Sequence, residues 1–459
     1  VCLTSGEGKK WLISVSDNGE IGTEPVDDIR KSGNPIFPGW YADPHAVIYG
    51  DTYWVYSTIS DFQEKQGVFD CFSSHDLVNW TKHSSVLNIK DVAWGNVFIW
   101  APSAIENNGK YYLFFSADDK RIGVSVADRP EGPYKDLIGK PLISETINGT
   151  HPIDQFVMKD DDGNFYMYYG GWGHCNVVKL KDDFTGIIPF PDGELYKEVT
   201  PDGYTEGVFV IKRNGEYIIM WSAGNWMDES YSVSYATGKS ITGPFEKKGV
   251  ILHGDKVIAN GTGHHAVINI PGTDDWYIFY HRHTNGSWYS RQGCAELREI
   301  DDKGNIKQAE ITSCGLNGGP LRGEGEYPAY LACHLYTDKE SVYVGGDEFP
   351  RVMQDGRDGD EEIGYIGNIQ DSATAGFKYF DIQGVRRIRV TTRGYADGDI
   401  EVRNEIDGEV LAKLHIVYTN VWEDYETEIL LPDGVQPLYF TFRGQGNASL
   451  KSFTLLKEV

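Results

Sequence analysis

No stretch of the 459-residue chain approaches the roughly 20 consecutive apolar residues that a membrane helix requires. Positive charge is short as well. Sixty-eight acidic residues face 42 basic ones, a formal net charge of −26. That balance excludes nucleic acid and anionic membrane surfaces as partners, because both select a basic face. Cysteine is sparse: Cys2, Cys71, Cys175, Cys294, Cys314 and Cys333. None forms a C-x-x-C pair, so the spacing of a zinc site is missing. Six cysteines scattered through so long a chain make no disulfide framework and read as buried thiols, with a Cys314–Cys333 bridge left undecided. No long amphipathic helix is legible, because apolar residues do not recur at the helical period. No leader is recognisable. The chain opens on Val1 rather than Met, and a leader cut away or left out is the expectation.

Aromatic residues, turn signals and a long period are present in excess. Aromatics make up 13% of the residues, and glycine is abundant at 53. Five times a short apolar segment is followed about ten residues later by an aromatic strand. The segments begin at Asp43, Ala101, Asp154, Glu206 and His264, and the aromatic strands at Tyr53, Tyr111, Phe165, Tyr217 and Trp276. The strand starts are 58, 54, 52 and 59 residues apart, with a turn dipeptide inside each hairpin, such as Asn108-Gly109 and Asn214-Gly215. A period of this size with about four strands per unit predicts propeller blades. The fold class expected is all-β: a five-bladed β-propeller followed by a jelly-roll-like β-sandwich. The divisions expected are a leader over 1–32, the propeller over 33–311, a Gly-rich linker over 312–328 and the sandwich over 329–459.

Equivalent positions of propeller blades face one central axis. Asp43, Asp154, Glu206 and His264 would therefore converge, with Ala101 at the remaining position. A single Asp in a turn is ordinarily a structural cap. Three acids at equivalent positions of one repeat point instead to chemistry. Two carboxyl groups across a sugar hydrolyse a glycosidic bond, one protonating the leaving oxygen while the other activates water or attacks. A third carboxylate raises the acid's pKa by like-charge repulsion.

The local motifs carry a resemblance. Asn34-Pro-Ile-Phe-Pro-Gly-Trp-Tyr-Ala-Asp43-Pro-His, Trp100-Ala-Pro-Ser, His151-Pro-Ile-Asp154, Tyr204-Thr-Glu206-Gly and Gly261-Thr-Gly-His264-His resemble glycoside hydrolase family 43 in order, over all five blades. The resemblance implies hydrolysis with inversion of anomeric configuration. It assigns Asp43 as general base, Glu206 as general acid and Asp154 as the residue that tunes and orients the acid. Arg291 resembles an arginine that reaches the pocket. His264 stands where the family's histidine commonly approaches an ion, often calcium. No cofactor is required, and a structural or electrostatic calcium at His264 is the metal the resemblance admits. Trp94, Trp100 and Trp172, with Trp226, are expected to offer aromatic faces to the sugar, and His264 to line its pocket.

From about Ala329 onward, segments such as Ile388-Arg-Val-Thr-Thr and Leu438-Tyr-Phe-Thr-Phe alternate with turns. Ile363-Gly-Tyr365-Ile-Gly and Thr419-Asn-Val-Trp422 resemble carbohydrate-binding module family 6, in which a Tyr and a Trp sandwich a sugar. Tyr365 and Trp422 stand at matching places; the rival reading is a sandwich that only braces the propeller. The function expected is an α-L-arabinofuranosidase on arabinoxylan-type hemicellulose, secreted or periplasmic and monomeric. The alternatives are a β-xylosidase, an enzyme with both activities, or a sugar-binding propeller without catalysis. The full Asp43, Asp154 and Glu206 set disfavours the last, since a lectin needs no tuned acid.

Overall fold

The computed structural model describes residues 33–457 except 119, 255–260, 286, 339–348 and 354–363, with the backbone of 2–4, 10–15 and 21–25. Five antiparallel sheets form the propeller. Blade one comprises Tyr41–Tyr49, Thr52–Ile59, Val68–Ser74 and Thr81–Asn88; blade two Ile99–Asn107, Lys110–Ala117, Arg121–Ala127 and Lys135–Asp136. In blade three, Phe156–Lys159 and Phe165–Tyr169 precede Asn176–Leu180, which pairs with both Ile187–Ile188 and Tyr196–Glu198. Blade four comprises Glu206–Arg213, Glu216–Ala223, Ser232–Gly238 and Glu246–His253; blade five His265–Asn269, Trp276–His283 and Arg291–Arg298. Among the described residues the only helical elements are four three-residue 3₁₀ turns.

The second strand of each blade explains the aromatic runs. Leu113, Phe114 and Phe115 are consecutive and all fully buried. Successive side chains of a strand point to opposite faces, so burial of both faces means a blade is packed on each side. The apolar clusters follow that pattern: Trp54, Tyr56, Phe69, Leu113 and Phe115 lie between blades one and two, and Phe114, Met167, Tyr169 and Phe184 between blades two and three.

The ring closes through residues that precede blade one. Ile36 N–H donates to Gly293 O on the free edge of blade five. Asn34 is fully buried beside it. Its amide donates to Ala295 O at 2.9 Å and accepts from Ala295 N–H at 2.8 Å, copying one antiparallel pair. It donates further to Glu296 Oε1 at 2.9 Å and Thr312 O at 3.1 Å. Residues 1–32 were expected to form a leader segment. Their described strands pair with one another, Cys2–Thr4 with Lys10–Val15 and Lys10–Val15 with Ile21–Pro25. How they meet the propeller lies outside the described residues.

The C-terminal part is one continuous ten-stranded sheet folded around a core of Phe377, Phe380, Val390, Phe440 and Phe453. The layers of the expected sandwich are therefore joined by two long strands, Val385–Arg403 and Gly434–Lys457. Along the first, the partner changes from Thr419–Glu428 to Ala412–Ile416 near Gly394. A Cβ on Gly394 would meet Asn447 O at 2.4 Å, so this crossing admits glycine. The segment expected as a linker is built into both bodies. Thr312 N–H and Oγ1 bond to Glu296 of blade five, both at 2.7 Å. Leu321–Arg322 and Gly325–Pro328 are strands of the C-terminal sheet. Its glycines suggested slack, but Leu316, Leu321 and Tyr327 bury the stretch. Cys314 and Cys333 are free buried thiols, as are Cys71, Cys175 and Cys294.

Asn34→Ala would leave Ala295 N–H and C=O unpaired in a dry seam. Urea unfolding should show a loss of about 2–4 kcal/mol, because each orphaned buried group costs about 1–3 kcal/mol.

Candidate active site

Blades one to four each carry a distortion at the start of the first strand, where the axial residue stands. Asp43, Ala101 and Asp154 are left-handed, with φ of 49°, 50° and 53°. The ladder register slips between Ala42 and His45, between Trp100 and Ser103, and between Glu206 and Phe209. These are β-bulges, which re-aim side chains beside active sites. The backbone N–H of each left-handed residue is held by the preceding blade. Ala101 donates to Thr58 Oγ1 at 2.9 Å, Asp154 to Ser116 Oγ at 3.0 Å and Asp43 to His281 Nδ1 at 3.0 Å. Glu206 does not occupy the equivalent position. Ala42 faces Thr58, Trp100 faces Ser116 and Glu206 faces Ser222, so Glu206 matches Trp100. The left-handed residue of blade four is Gly207, at φ 63°. One residue of each bulge lines the pocket, Asp43 in blade one, Trp100 in blade two and Glu206 in blade four, so Glu206 reaches it from the neighbouring position.

Asp43, Asp154, Glu206 and His264 together line the floor of a cavity of about 370 Å³. His264 Nδ1 lies 3.7 Å from Asp43 Oδ1 and 3.5 Å from Asp154 Oδ2. Burial alone would lower the His264 pKa, but the Asp43 and Asp154 carboxylates raise it to about 9, so the ring is an imidazolium at neutral pH. Burial, and after it the Asp154 charge, pushes the Glu206 carboxyl up to about 7, against the Tyr231 hydroxyl, which donates to Oε1 at 2.8 Å. Arg291 Nη1 approaches Asp43 Oδ1 at 3.5 Å, and its backbone N–H is anchored on Ser60 Oγ at 3.0 Å. His281 is driven far below its ordinary pKa by burial. It is neutral, and its Nδ1 accepts from Asp43 N–H. Below the acids the axis is plugged by His45, Phe156, Phe209 and His265. Burial lowers His45 to about 4 and His265 to about 3, so both plug histidines are neutral.

The expected aromatic residues divide. Trp100 and Trp172 line the pocket, as does Trp226. Trp100 stacks on Phe98 at 3.7 Å and donates its indole N–H to Gln66 Oε1. Trp172 is 64% exposed at the mouth, its ring 4.0 Å from His151. Trp94 is not in the pocket. It stacks on Phe115 at 5.8 Å with the Arg121 guanidinium over its face, because Gly123 leaves a slot between the blades.

The pocket rings Tyr231, Trp288 and Tyr289 went unread in the sequence, as did Phe62 beside them. Phe62 and Tyr289 touch at the mouth, and Trp288 packs against Tyr289 and Trp226. Phe62, Trp172, Trp226 and Trp288 all follow the second strand of their blade by a few residues. That recurrence was the available signal.

In the C-terminal sheet Tyr365 and Trp422 do meet, but edge to face at 5.4 Å. Arg393 covers Trp422 at 4.3 Å and approaches the Tyr365 ring at 5.4 Å. The expected slot for a sugar is thus filled by the protein's own side chains. Among the described residues no group of three or more His, Cys, Asp or Glu is arranged to hold a metal ion.

Residues 32–306 match Glycosyl hydrolases family 43. A xylosidase/arabinosidase of Thermoclostridium stercorarium is 34% identical, over 93% of this chain and 99% of its own length. A β-D-galactofuranosidase of Aspergillus niger is 42% identical, over 63% of this chain and 88% of its own. The solved structure of a glycoside hydrolase family 43 arabinoxylan arabinofuranohydrolase from Bacillus subtilis superposes with a TM-score of 0.54 at 23% identity, covering 93% of this chain and 97% of that one, a likeness of fold.

Three outcomes check this geometry. The proton on Glu206 is lost as pH rises through about 7, so kcat/KM should fall there. Tyr231→Phe removes a donor that favours the carboxylate, so the falling limb should move to higher pH; a limb that stays put would detach it from Glu206. Trp422→Ala should leave retention in xylan affinity gels at the wild-type level, since that ring is covered by Arg393; weaker retention would mean that sugar reaches it.

Proposed function

The chain belongs to glycosyl hydrolase family 43, and we propose that it is an inverting glycosidase that removes α-L-arabinofuranosyl residues from arabinoxylan-type hemicellulose. One observation carries the reading: a carboxyl kept protonated near neutrality, Glu206, shares the floor of a closed-ended pocket with two further carboxylates. In an inverting reaction Glu206 gives its proton to the glycosidic oxygen as the bond to the anomeric carbon breaks. Asp43 takes a proton from the water that attacks the opposite face of that carbon. The free sugar leaves with inverted configuration, and solvent returns the proton to Glu206 and removes it from Asp43. Burial, and after it the Asp154 charge, keeps Glu206 protonated, while the His264 imidazolium links Asp43 and Asp154.

A bifunctional β-xylosidase and arabinofuranosidase is the second reading, favoured by the Thermoclostridium relative, which carries both names and spans nearly the whole chain. Calcium takes six to eight oxygen ligands. The groups facing the channel below the acids are imidazoles and aromatic rings, so they do not form its shell, and no step runs through a metal. The reading places the protein where the polymer is, secreted or periplasmic, and acting as a monomer.

The test is a panel of aryl α-L-arabinofuranoside, β-D-xyloside and β-D-galactofuranoside with arabinoxylan, followed by proton NMR of the first product. Arabinose released in inverted configuration is the expected result. Galactofuranoside as the preferred substrate, or retained configuration, would overturn the reading. Glu206→Gln should lose about 10²–10⁴-fold on arabinoxylan and much less on aryl glycosides with good leaving groups, which need little protonation. Asp43→Asn should abolish turnover on both.

A further inference from the structure

The mouth of the pocket has one continuous aromatic side. Phe62, Tyr289, Trp288 and Trp226 follow one another with ring centroids 4.5, 4.6 and 4.7 Å apart. Phe62 is 52% and Trp288 44% exposed, whereas Asp43 on the floor is 8% exposed. A sugar seated over the acids therefore leaves whatever it is attached to lying along this wall. Open aromatic faces suit the C–H face of further sugar rings.

Blade five supplies two of the four rings from the loop between Trp276–His283 and Arg291–Arg298. On its inner side the loop is tied to blade one, where Ser60 Oγ donates to Trp288 O at 3.2 Å and accepts from Arg291 N–H at 3.0 Å. On its outer side it is tied to the C-terminal sheet. Asn285 Nδ2 donates to Val352 O at 3.0 Å, and Val352 N–H donates to Asn285 Oδ1 at 2.9 Å. One side chain thus exchanges two hydrogen bonds with the strand Arg351–Met353, as a paired strand would.

We propose that Asn285 is a positioning residue through which the C-terminal domain sets the blade-five part of the aromatic wall, making that domain a determinant of which chain attached to the scissile sugar is accepted. The proposal rests on the glycosidase reading above. The acids do not depend on the Asn285 contact. Asp43 and Asp154 are held by His281 and Ser116 inside the propeller, and Arg291 by Ser60. Losing the contact removes the outer tie of the loop that carries Trp288 and Tyr289, leaving only its inner tie at Ser60, and leaves the floor in place.

The test compares Asn285→Ala and Asn285→Asp in the full chain. Asp keeps the acceptor for Val352 N–H but sets a carboxylate against Val352 O, so its effect should be at least half that of Ala on a logarithmic scale. The substrates are an aryl arabinofuranoside and an arabinose-substituted xylopentaose. Aryl hydrolysis should stay within about twofold of wild type, while KM for the oligosaccharide rises about five- to tenfold with kcat little changed, as expected when only a remote binding wall is loosened. In Trp288→Ala the oligosaccharide KM should rise similarly, and adding Asn285→Ala should cost nothing more, since both act through one wall. Equal losses on both substrates, or additive losses in the double variant, would overturn the proposal, as would a lowered melting temperature with an unchanged KM ratio. If wild type cleaves none of the aryl glycosides, the glycosidase reading itself fails. If wild type cleaves them and the KM ratio does not move, only the role of Asn285 fails.

Discussion

The His264 imidazolium is what allows three carboxyl groups to share one small, dry volume. Three buried negative charges would repel one another and each would carry a desolvation cost of several kcal/mol. His264 stands between Asp43 and Asp154, within 4 Å of both, and Arg291 adds a second positive charge beside Asp43. Two cations then face two carboxylates, and the third acid escapes the imbalance by keeping its proton. Glu206 is that acid because burial and the Asp154 charge outweigh the Tyr231 hydroxyl and the His264 charge, and because, among the described residues, no cation forms an ion pair with it as His264 and Arg291 do with Asp43. The assignment of acid and base thus follows from which carboxyl has been given counter-charge. The same cations make the floor intolerant of a change in any one partner, since each removal leaves a buried charge uncompensated.

This constellation needs a backbone that turns three different residue types toward one axis. Bulges at the heads of blades one, two and four and the left-handed Asp154 ahead of blade three do so, and hydrogen bonds from one blade to the next fix Asp43, Ala101 and Asp154. Thr58, Ser116 and His281 lie on second strands, so the strand that packs one blade also aims the catalytic residue of its neighbour. Closure at Asn34 therefore matters for chemistry as well as stability, because Asp43 takes its aim from His281 in blade five. A ring opened at that seam would part Asp43 from His281.

The five-fold period was legible because every hairpin keeps its turn dipeptide and its buried aromatic strand. The identity of the converging residues was legible for the same reason. The one-residue offset of Glu206 was not, because counting from the aromatic strand hides a bulge, although Gly207 marked it by standing where a left-handed residue was needed. Trp94 was misread because proximity in sequence to the axis does not fix direction. The slot that accepts it depends on Gly123, a residue of another strand. Phe62, Trp288 and Tyr289 were passed over because each looked like an isolated loop residue until the loops were aligned by blade. Tyr365 and Trp422 were correctly placed together, but Arg393, which fills the space between sugar platforms, gives no sequence pattern.

Two asparagines do the same physical work at two seams. Asn34 pairs with Ala295 across the ring closure, and Asn285 pairs with Val352 across the junction of the two domains. A carboxamide is the side chain that carries a donor and an acceptor in the geometry of a peptide group, so it can stand in for one residue of a strand. It does so where a true strand would have to continue for several residues to gain the same register, and where the backbone is needed for something else. At Asn285 the backbone is needed to carry Trp288 and Tyr289 over the pocket. The junction therefore fixes the loop without occupying it, and the C-terminal sheet takes part in the site through a contact that leaves both rings free to meet sugar.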